Sequence, residues 1–381
     1  MGTSPFLVRN YSVSNEFRLT TSQSGFNLYL GNNPNNPYPY YQPVSFASSS
    51  PLVQGTQFNI EASRRTGRKL TPAEASEFWT RTVLNLAVDH PWSFFRKLIL
   101  KSAALINRYS GGDHYNIGFL SSFATFFKLP LFPRWLILPI GLTGLIISCF
   151  HSFRAVALGL ISALYAMSLV LFFNNSRYFL PLMVVFIPYA CIFLKHLVTR
   201  FQSKAYQKIL PGLAAAIVFY GAAFLPIAGS GDLSAYYNTH ANILNKSGRT
   251  SEAIQYWQIP AGTKQRYSDF SCLSLAIHHF KNQDFRNTVH YLNLISADSY
   301  AGATKFALMG DLFQITGQIQ QAYQSYRQSM QINSGQLAVQ AKIVRLLQQT
   351  DRTKVSKELE QLRNIATYYP ESRLVNIHKT K

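Results

Sequence analysis

Apolar positions crowd into four runs near the middle of the chain, at about residues 135–150, 155–173, 178–194 and 209–227. A helix that crosses a bilayer needs roughly 20 mostly apolar residues. Each run meets or approaches that length, and the first extends back toward Leu131. Arg, Lys, Pro or aromatic residues bound every run, as at a membrane surface. Ahead of these runs the periods are shorter. Phe26, Leu28 and Leu30 alternate with Asn27 and Tyr29, which predicts a strand, and Gly31, Asn32, Asn33 and Pro34 then form a turn. Residues 70–91 predict a helix: Thr71 caps it, Pro72 opens it, Glu74 completes a capping box, and Phe78, Val83, Leu86 and Ala87 form its apolar face. In the next stretch Arg96, Lys97, Lys101 and Arg108 interrupt the apolar residues. It reads as an amphipathic helix on the outer membrane surface rather than a span.

Charge sharpens the division. Only 14% of the residues are charged, against about 25% in soluble domains. The deficit is local, because no Asp or Glu occurs between Arg134 and Ala228. Three regions follow: an extracytoplasmic loop domain over 1–130, a membrane block over 131–228 and a helical tail over 229–381. The net charge of +20 is spread over all three. With no single basic run, nucleic acid is a poor partner and membrane lipid a better one. The connector between the third and fourth runs holds Lys195, Arg200, Lys204 and Lys208. The positive-inside rule puts it in the cytosol, so both soluble regions lie outside, as in a protein of the bacterial inner membrane. The start of the chain has no apolar core of signal-peptide length, which is read as a chain that naturally begins further upstream.

Arg177 then sits at the outer mouth of a helical hairpin, with Tyr178 beside it. Two readings stand: an interfacial arginine whose head reaches water, or a guanidinium fork for a lipid phosphate such as a polyprenyl phosphate. The long loop after Asn35 is rich in Tyr, Ser, Pro and Gln, suited to sugar stacking or simply an aromatic surface loop. Among the front carboxylates, Glu74 and Glu77 belong to a helix start, and Asp113 with His114 follows a glycine pair as a turn. Glu61 and Asp113 remain free, but no pair marks a general base, so no catalytic residue is assigned. The cysteines Cys149, Cys191 and Cys272 form no framework, His278, His279 and His290 have no ligand spacing, and neither metal nor cofactor is implied.

Gly25, Asn27, Gly31, Asn32 and Asn33 form a G-x-N-x-x-x-G-N-N pattern. A helix with Trp79, then His90 and Pro91, a basic helix with Lys101, and Arg177 with Tyr178 before Pro181 follow it. This order resembles the C-terminal half of bacterial membrane glycosyltransferases of the GT-C superfamily, in the protein-mannosyltransferase-like branch. The resemblance covers roughly residues 5–200. It implies sugar transfer from a polyprenyl-phosphate donor at the outer face. Arg177, Tyr178, Lys101 and Lys97 would hold the lipid phosphate, and Asn27, Gly31, Asn32 and Asn33 would form a substrate-binding loop. That family carries its catalytic acid in an earlier outer loop, which this stretch does not contain, so the chain alone is expected to be inactive.

From Leu233 a period of 34–35 residues appears in three copies. Tyr237, Ala241, Leu244, Gly248, Ala253 and Trp257 match Cys272, Ala276, His279, Gln283, Thr288 and Leu292, then Phe306, Gly310, Phe313, Gly317, Ala322 and Tyr326. The pattern resembles the tetratricopeptide repeat, with residues 337–349 and 355–368 as a capping pair. The expected class is mainly α: a multi-pass block of about four spans, an outer mixed α/β loop domain and a tetratricopeptide-type solenoid for a protein or peptide partner. The function expected is the C-terminal part of a glycosyltransferase. The alternative is a non-catalytic membrane-anchored scaffold for envelope assembly. A polysaccharide polymerase or ligase is disfavoured, since its large Arg- and His-rich loop is not evident.

Overall fold

The structure, a computed structural model, describes residues 5, 8–9, 11–12, 23–109, 116–125, 134–227, 229 and 231–369. Among these the chain is mainly α-helical and contains no strand. In chain order the main helices are α1 (Ser24–Asn32), α2 (Gln54–Thr66), α3 (Pro72–Asp89), α4 (Pro91–Ile106), α5 (Arg134–Cys149), α6 (Phe153–Leu171), α7 (Leu180–Gln202) and α8 (Leu210–Ala223). The tail continues with α9 (Ser234–Lys246), α10 (Thr250–Gln258), α11 (Ser268–Lys281), α12 (Phe285–Asn293), α13 (Gly302–Ile315), α14 (Ile319–Ile332), α15 (Leu337–Thr350) and α16 (Arg352–Ala366). The expected turn at Asp113 and His114 lies outside the described residues, as do residues 131–133 ahead of α5.

The strand expected at residues 26–30 is instead helix α1. Phe26, Tyr29, Leu30 and Asn33 are all buried, and their spacing of i, i+3, i+4 and i+7 is that of a helix face. Counting Tyr29 as a polar position produced the false alternation. The mixed α/β front domain is therefore helix and irregular chain where it is described. Helix α2 was not anticipated either, because polar Gln57, Glu61 and Ser63 are buried alongside Phe58, Ile60 and Ala62.

The chain divides into two compact units. One gathers Met1–Asn27, Pro43–Thr82 and Tyr237–Lys381, so part of the front packs with the tail. Its front core is aromatic. Trp79 stacks on Phe46 at 5.5 Å, meets Phe58 edge-on at 5.2 Å, and donates from Nε1 to the Phe58 carbonyl at 3.1 Å. The capping box forms as expected, with Thr71 N–H on Glu74 Oε2 at 2.8 Å and Glu74 N–H on Thr71 Oγ1 at 3.3 Å. These bonds and that from Arg68 hold the Glu74 carboxyl at about 2.

The tail of this unit is a series of helix pairs joined by short turns. Gly248, Gln283 and Gly317 occupy the same left-handed place at each turn, with φ of 84°, 59° and 76°. In each, the next N–H closes the helix by donating five residues back: Arg249 to Leu244, Asp284 to His279, Gln318 to Phe313. Ala253, Thr288 and Ala322 are buried at matching positions, as are Trp257, Leu292 and Tyr326. A Cβ on Gly310 would lie 2.5 Å from the Tyr326 ring, so glycine permits that helix approach.

The other unit gathers Leu28–Gln42 and Val83–Tyr236. Two of its helical stretches, Phe153–Leu171 and Arg177–Gln202, are long and apolar enough to cross a membrane, with mean hydropathy of 1.8 and 1.9. Only 17% and 28% of these stretches is buried, which leaves wide apolar faces uncovered by the described residues. The other two apolar runs give shorter helices. Helix α8 spans 14 residues, roughly 21 Å. It stops because Asn107 Nδ2 takes the Leu225 carbonyl at 2.7 Å and Arg108 N–H takes that of Ala223 at 2.8 Å. Helices α5 and α7 touch backbone to backbone. A Cβ at Gly141 or Gly144 would fall 2.6 Å or 1.9 Å from the carbonyl oxygens of Phe186 and Tyr189, the close approach that small residues give packed apolar helices.

Candidate functional site

Of the residues singled out, Gly31, Asn32, Asn33, Lys97 and Lys101 gather in the second unit near the C-terminal end of α6. The last carbonyls of a helix lack intrahelical partners and carry partial negative charge. Here Leu171 and Phe172 supply them. Helix α4 turns Lys97 and Lys101, spaced i and i+4, toward the protein. Lys101 is fully buried, and its Nζ donates to Asn32 Oδ1 at 2.9 Å, Phe172 O at 2.6 Å and Leu171 O at 3.4 Å. Asn32 Nδ2 donates to Leu171 O at 2.7 Å and to Leu28 O within its own helix at 2.9 Å. Asn174 Nδ2 returns to the Lys101 carbonyl at 2.7 Å, and its N–H binds the Pro39 carbonyl at 3.2 Å. Lys97 Nζ reaches the Asn33 carbonyl at 2.6 Å.

This orientation corrects the expectation for α4. Its lysines point inward, and the outward face carries Trp92, 75% exposed, Phe95, 53%, and Ile99, 50%, with the exposed Arg96 among them. Burial and the neighbouring Lys97 push the Lys101 amine down to about 7, and burial brings Lys97 to about 8. All three donors of a Lys101 ammonium are committed, so it braces the fold and has none left for a phosphate.

The glycine–asparagine motif also belongs to this packing. Gly31 and Asn32 lie in α1, not in a loop. A Cβ on Gly31 would sit 1.8 Å from the Phe172 carbonyl oxygen, so only glycine fits. Asn33 closes the helix, its Oδ1 accepting from Asn35 N–H at 3.0 Å. Asn27 falls in the other compact unit, half-buried near the start of α1.

Arg177 is exposed. Its guanidinium lies 4.9 Å over the Tyr178 ring, and Nη2 meets the phenol oxygen at 3.1 Å. Tyr165 OH donates to the Tyr178 carbonyl at 2.7 Å, and Asn175 Oδ1 accepts from Arg177 N–H at 3.3 Å. The pair is thus fixed on the short turn Ser176–Phe179 that opens α7. Of the expected phosphate set, Arg177 and Tyr178 face out while Lys97 and Lys101 face in.

Sequence reasoning passed over Asn36, Asn107 and Asn174, all buried. Asn36 Nδ2 binds the Tyr40 carbonyl at 2.9 Å, and Asn174 Oδ1 is buried without a partner. Their signal was the recurrence of asparagine in short segments between apolar elements. Glu61 is not a free base. Burial would raise its pKa, but hydrogen bonds from Arg64 and Arg65 outweigh that and leave it below the ordinary value. His279 Nδ1 pairs with Asp284 Oδ2 at 2.9 Å. No group of three or more potential metal ligands occurs among the described residues. No family model matches the chain, and no curated protein matches it.

Proposed function

We propose that this chain is part of an integral-membrane glycosyltransferase of the GT-C superfamily that uses a polyprenyl-phosphate sugar donor at the outer membrane face. The observation that carries it is the exposed Arg177–Tyr178 pair at the junction between the two helical stretches of membrane-crossing length. A guanidinium donates parallel hydrogen bonds to a phosphate, and a phenol beside it adds another donor. In this reading α5 and α8 complete a four-span block, with the connector holding Lys195, Arg200, Lys204 and Lys208 in the cytosol. The apolar stripe of Trp92, Phe95 and Ile99 rests in the outer interface. Lys97 and Lys101 change role, from phosphate ligands to positioning residues: Lys101 fixes the end of α6 ahead of Arg177, and Lys97 the end of α1. The tail is a tetratricopeptide-type stack that receives a protein or peptide partner.

The alternative is a non-catalytic, membrane-anchored repeat scaffold. The inward commitment of both lysines favours it, since a scaffold needs no phosphate site. A photoreactive polyprenyl phosphate separates the two. In membranes holding the full chain, competable labelling is expected, with Arg177→Ala reducing it about tenfold, the loss of one charge-assisted pair. No competable labelling, or equal labelling of the variant, would overturn the donor-lipid reading and leave the scaffold.

A further inference from the structure

The unit that holds α2 and the tail contains an open cleft of about 520 Å³, unrelated to the α6 end. That volume suits a small ligand, for which sites run from about 300 to 1,000 Å³. Its lining includes Arg64, Arg68 and Lys69 from the end of α2 and the turn after it, with Arg327 from α14, and among the described residues no carboxylate lines it. Arg64 is paired with Glu61, Arg68 with Glu74 and Arg327 with Glu358. Lys69 Nζ instead meets a hydroxyl, Thr367 Oγ1 at 2.8 Å, and lies 5.1 Å over the Tyr368 ring. Lys69 is therefore the cation of this lining left without a carboxylate partner among the described residues.

A second feature is independent of charge. Gln340 lines the cleft and is fully buried. Its Nε2 is committed to Glu358, donating to the carbonyl at 3.0 Å and to Oε2 at 2.7 Å. That fixes which end of the amide is oxygen, and Oε1 is buried with no partner. Ser334 Oγ, also in the lining, is likewise buried and unpartnered. Buried polar atoms are nearly always satisfied, so two in one cleft point to a ligand that completes them. Gln340 Oε1 can only accept, so the ligand must bring a donor there. Ser334 Oγ can donate or accept. Lys69, which has no carboxylate partner, favours an anionic group on the same ligand.

We propose that this cleft binds an acidic saccharide, its carboxylate toward Lys69 and Arg68 and its hydroxyls on Gln340 Oε1 and Ser334 Oγ. A hydroxyl donates and accepts at one atom, which suits both orphan groups. The C–H face of a sugar ring has Ile60, Met330 and Ile365 in the lining to pack on. The inference stands apart from the donor-lipid reading, because none of these residues belongs to the α6 end.

The test is calorimetric titration of the full chain in detergent micelles with tri-galacturonate, with neutral maltotriose and hexaglutamate peptide as comparisons. Saturable heat is expected with tri-galacturonate alone. Lys69→Gln and Ser334→Ala should each weaken it by about tenfold, with unfolding midpoints unchanged. Neither substitution breaks an ion pair, so loss of fold does not confuse the result. Absent heat with tri-galacturonate, affinity unchanged in both variants, or equal affinity for maltotriose would overturn the proposal. Tighter binding of hexaglutamate would overturn it in favour of an acidic peptide.

Discussion

Replacing Lys101 by Met tests whether this lysine is a brace. Methionine has similar length and no donors, so Asn32 Oδ1 and Phe172 O would lose partners now at 2.9 Å and 2.6 Å. An unfilled buried acceptor costs about 1–3 kcal/mol, so the two together give roughly 2–6 kcal/mol of destabilisation when the wild-type amine is neutral. The pH dependence adds a signature. The Lys101 amine is pushed from its ordinary 10.5 to about 7 in the fold. Between these values the unfolded chain binds more protons than the folded one, so stability rises with pH across that window. Each pH unit carries about 1.4 kcal/mol, less near the folded value, so wild type loses roughly 2 kcal/mol on going from pH 9 to pH 7 through this group. The Met variant lacks that loss. Denaturant unfolding in detergent micelles, followed by near-UV circular dichroism, should show the largest deficit at pH 9 and a much smaller one at pH 7. A variant as stable as wild type at pH 9, or a deficit independent of pH, would refute the brace.

Further outcomes follow from backbone geometry. Gln283 holds a left-handed φ of 59° where the matching turns have glycine; Gln283→Gly should stabilise the chain by about 1 kcal/mol, read as a higher unfolding midpoint. Gly144→Ala places a Cβ 1.9 Å from the Tyr189 carbonyl oxygen and should cost about 1–3 kcal/mol, seen as lower detergent resistance. Gly221→Ala meets nothing within 4 Å among the described residues, so in the same assay it should be neutral or mildly stabilising. A Gly144 variant that behaves like the Gly221 one would contradict the α5–α7 contact.

The parts legible from sequence were those where one physical signal dominated. Apolar length alone marked the stretches that became Phe153–Leu171 and Arg177–Gln202. Small residues at fixed spacing marked the tail turns, even at Gln283, where the side chain departs from the pattern but the backbone does not. The capping box at Thr71 and Glu74 was readable for the same reason. Signals failed where two periods competed or where polar residues went inside. Phe26, Leu28 and Leu30 satisfied a strand period while Phe26, Tyr29, Leu30 and Asn33 satisfied a helix. Lys97 and Lys101 looked like a solvent face, yet the carbonyls ending α6 draw Lys101 inward and the Asn33 carbonyl beyond α1 draws Lys97. Nothing in a single sequence announces those carbonyls, because they exist only once α6 ends beside α4. The cleft at Lys69 was invisible for a related cause: its residues come from segments about 260 positions apart and share no motif.

The membrane arrangement is tested most directly by fusing a reporter that fluoresces only in the cytosol after residue 204 and, separately, after residue 369. With both soluble regions outside, the first fusion is expected to fluoresce and the second to stay dark while an alkaline phosphatase at the same site is active. Fluorescence after residue 369 would contradict the outward tail and the outer-face donor reading with it.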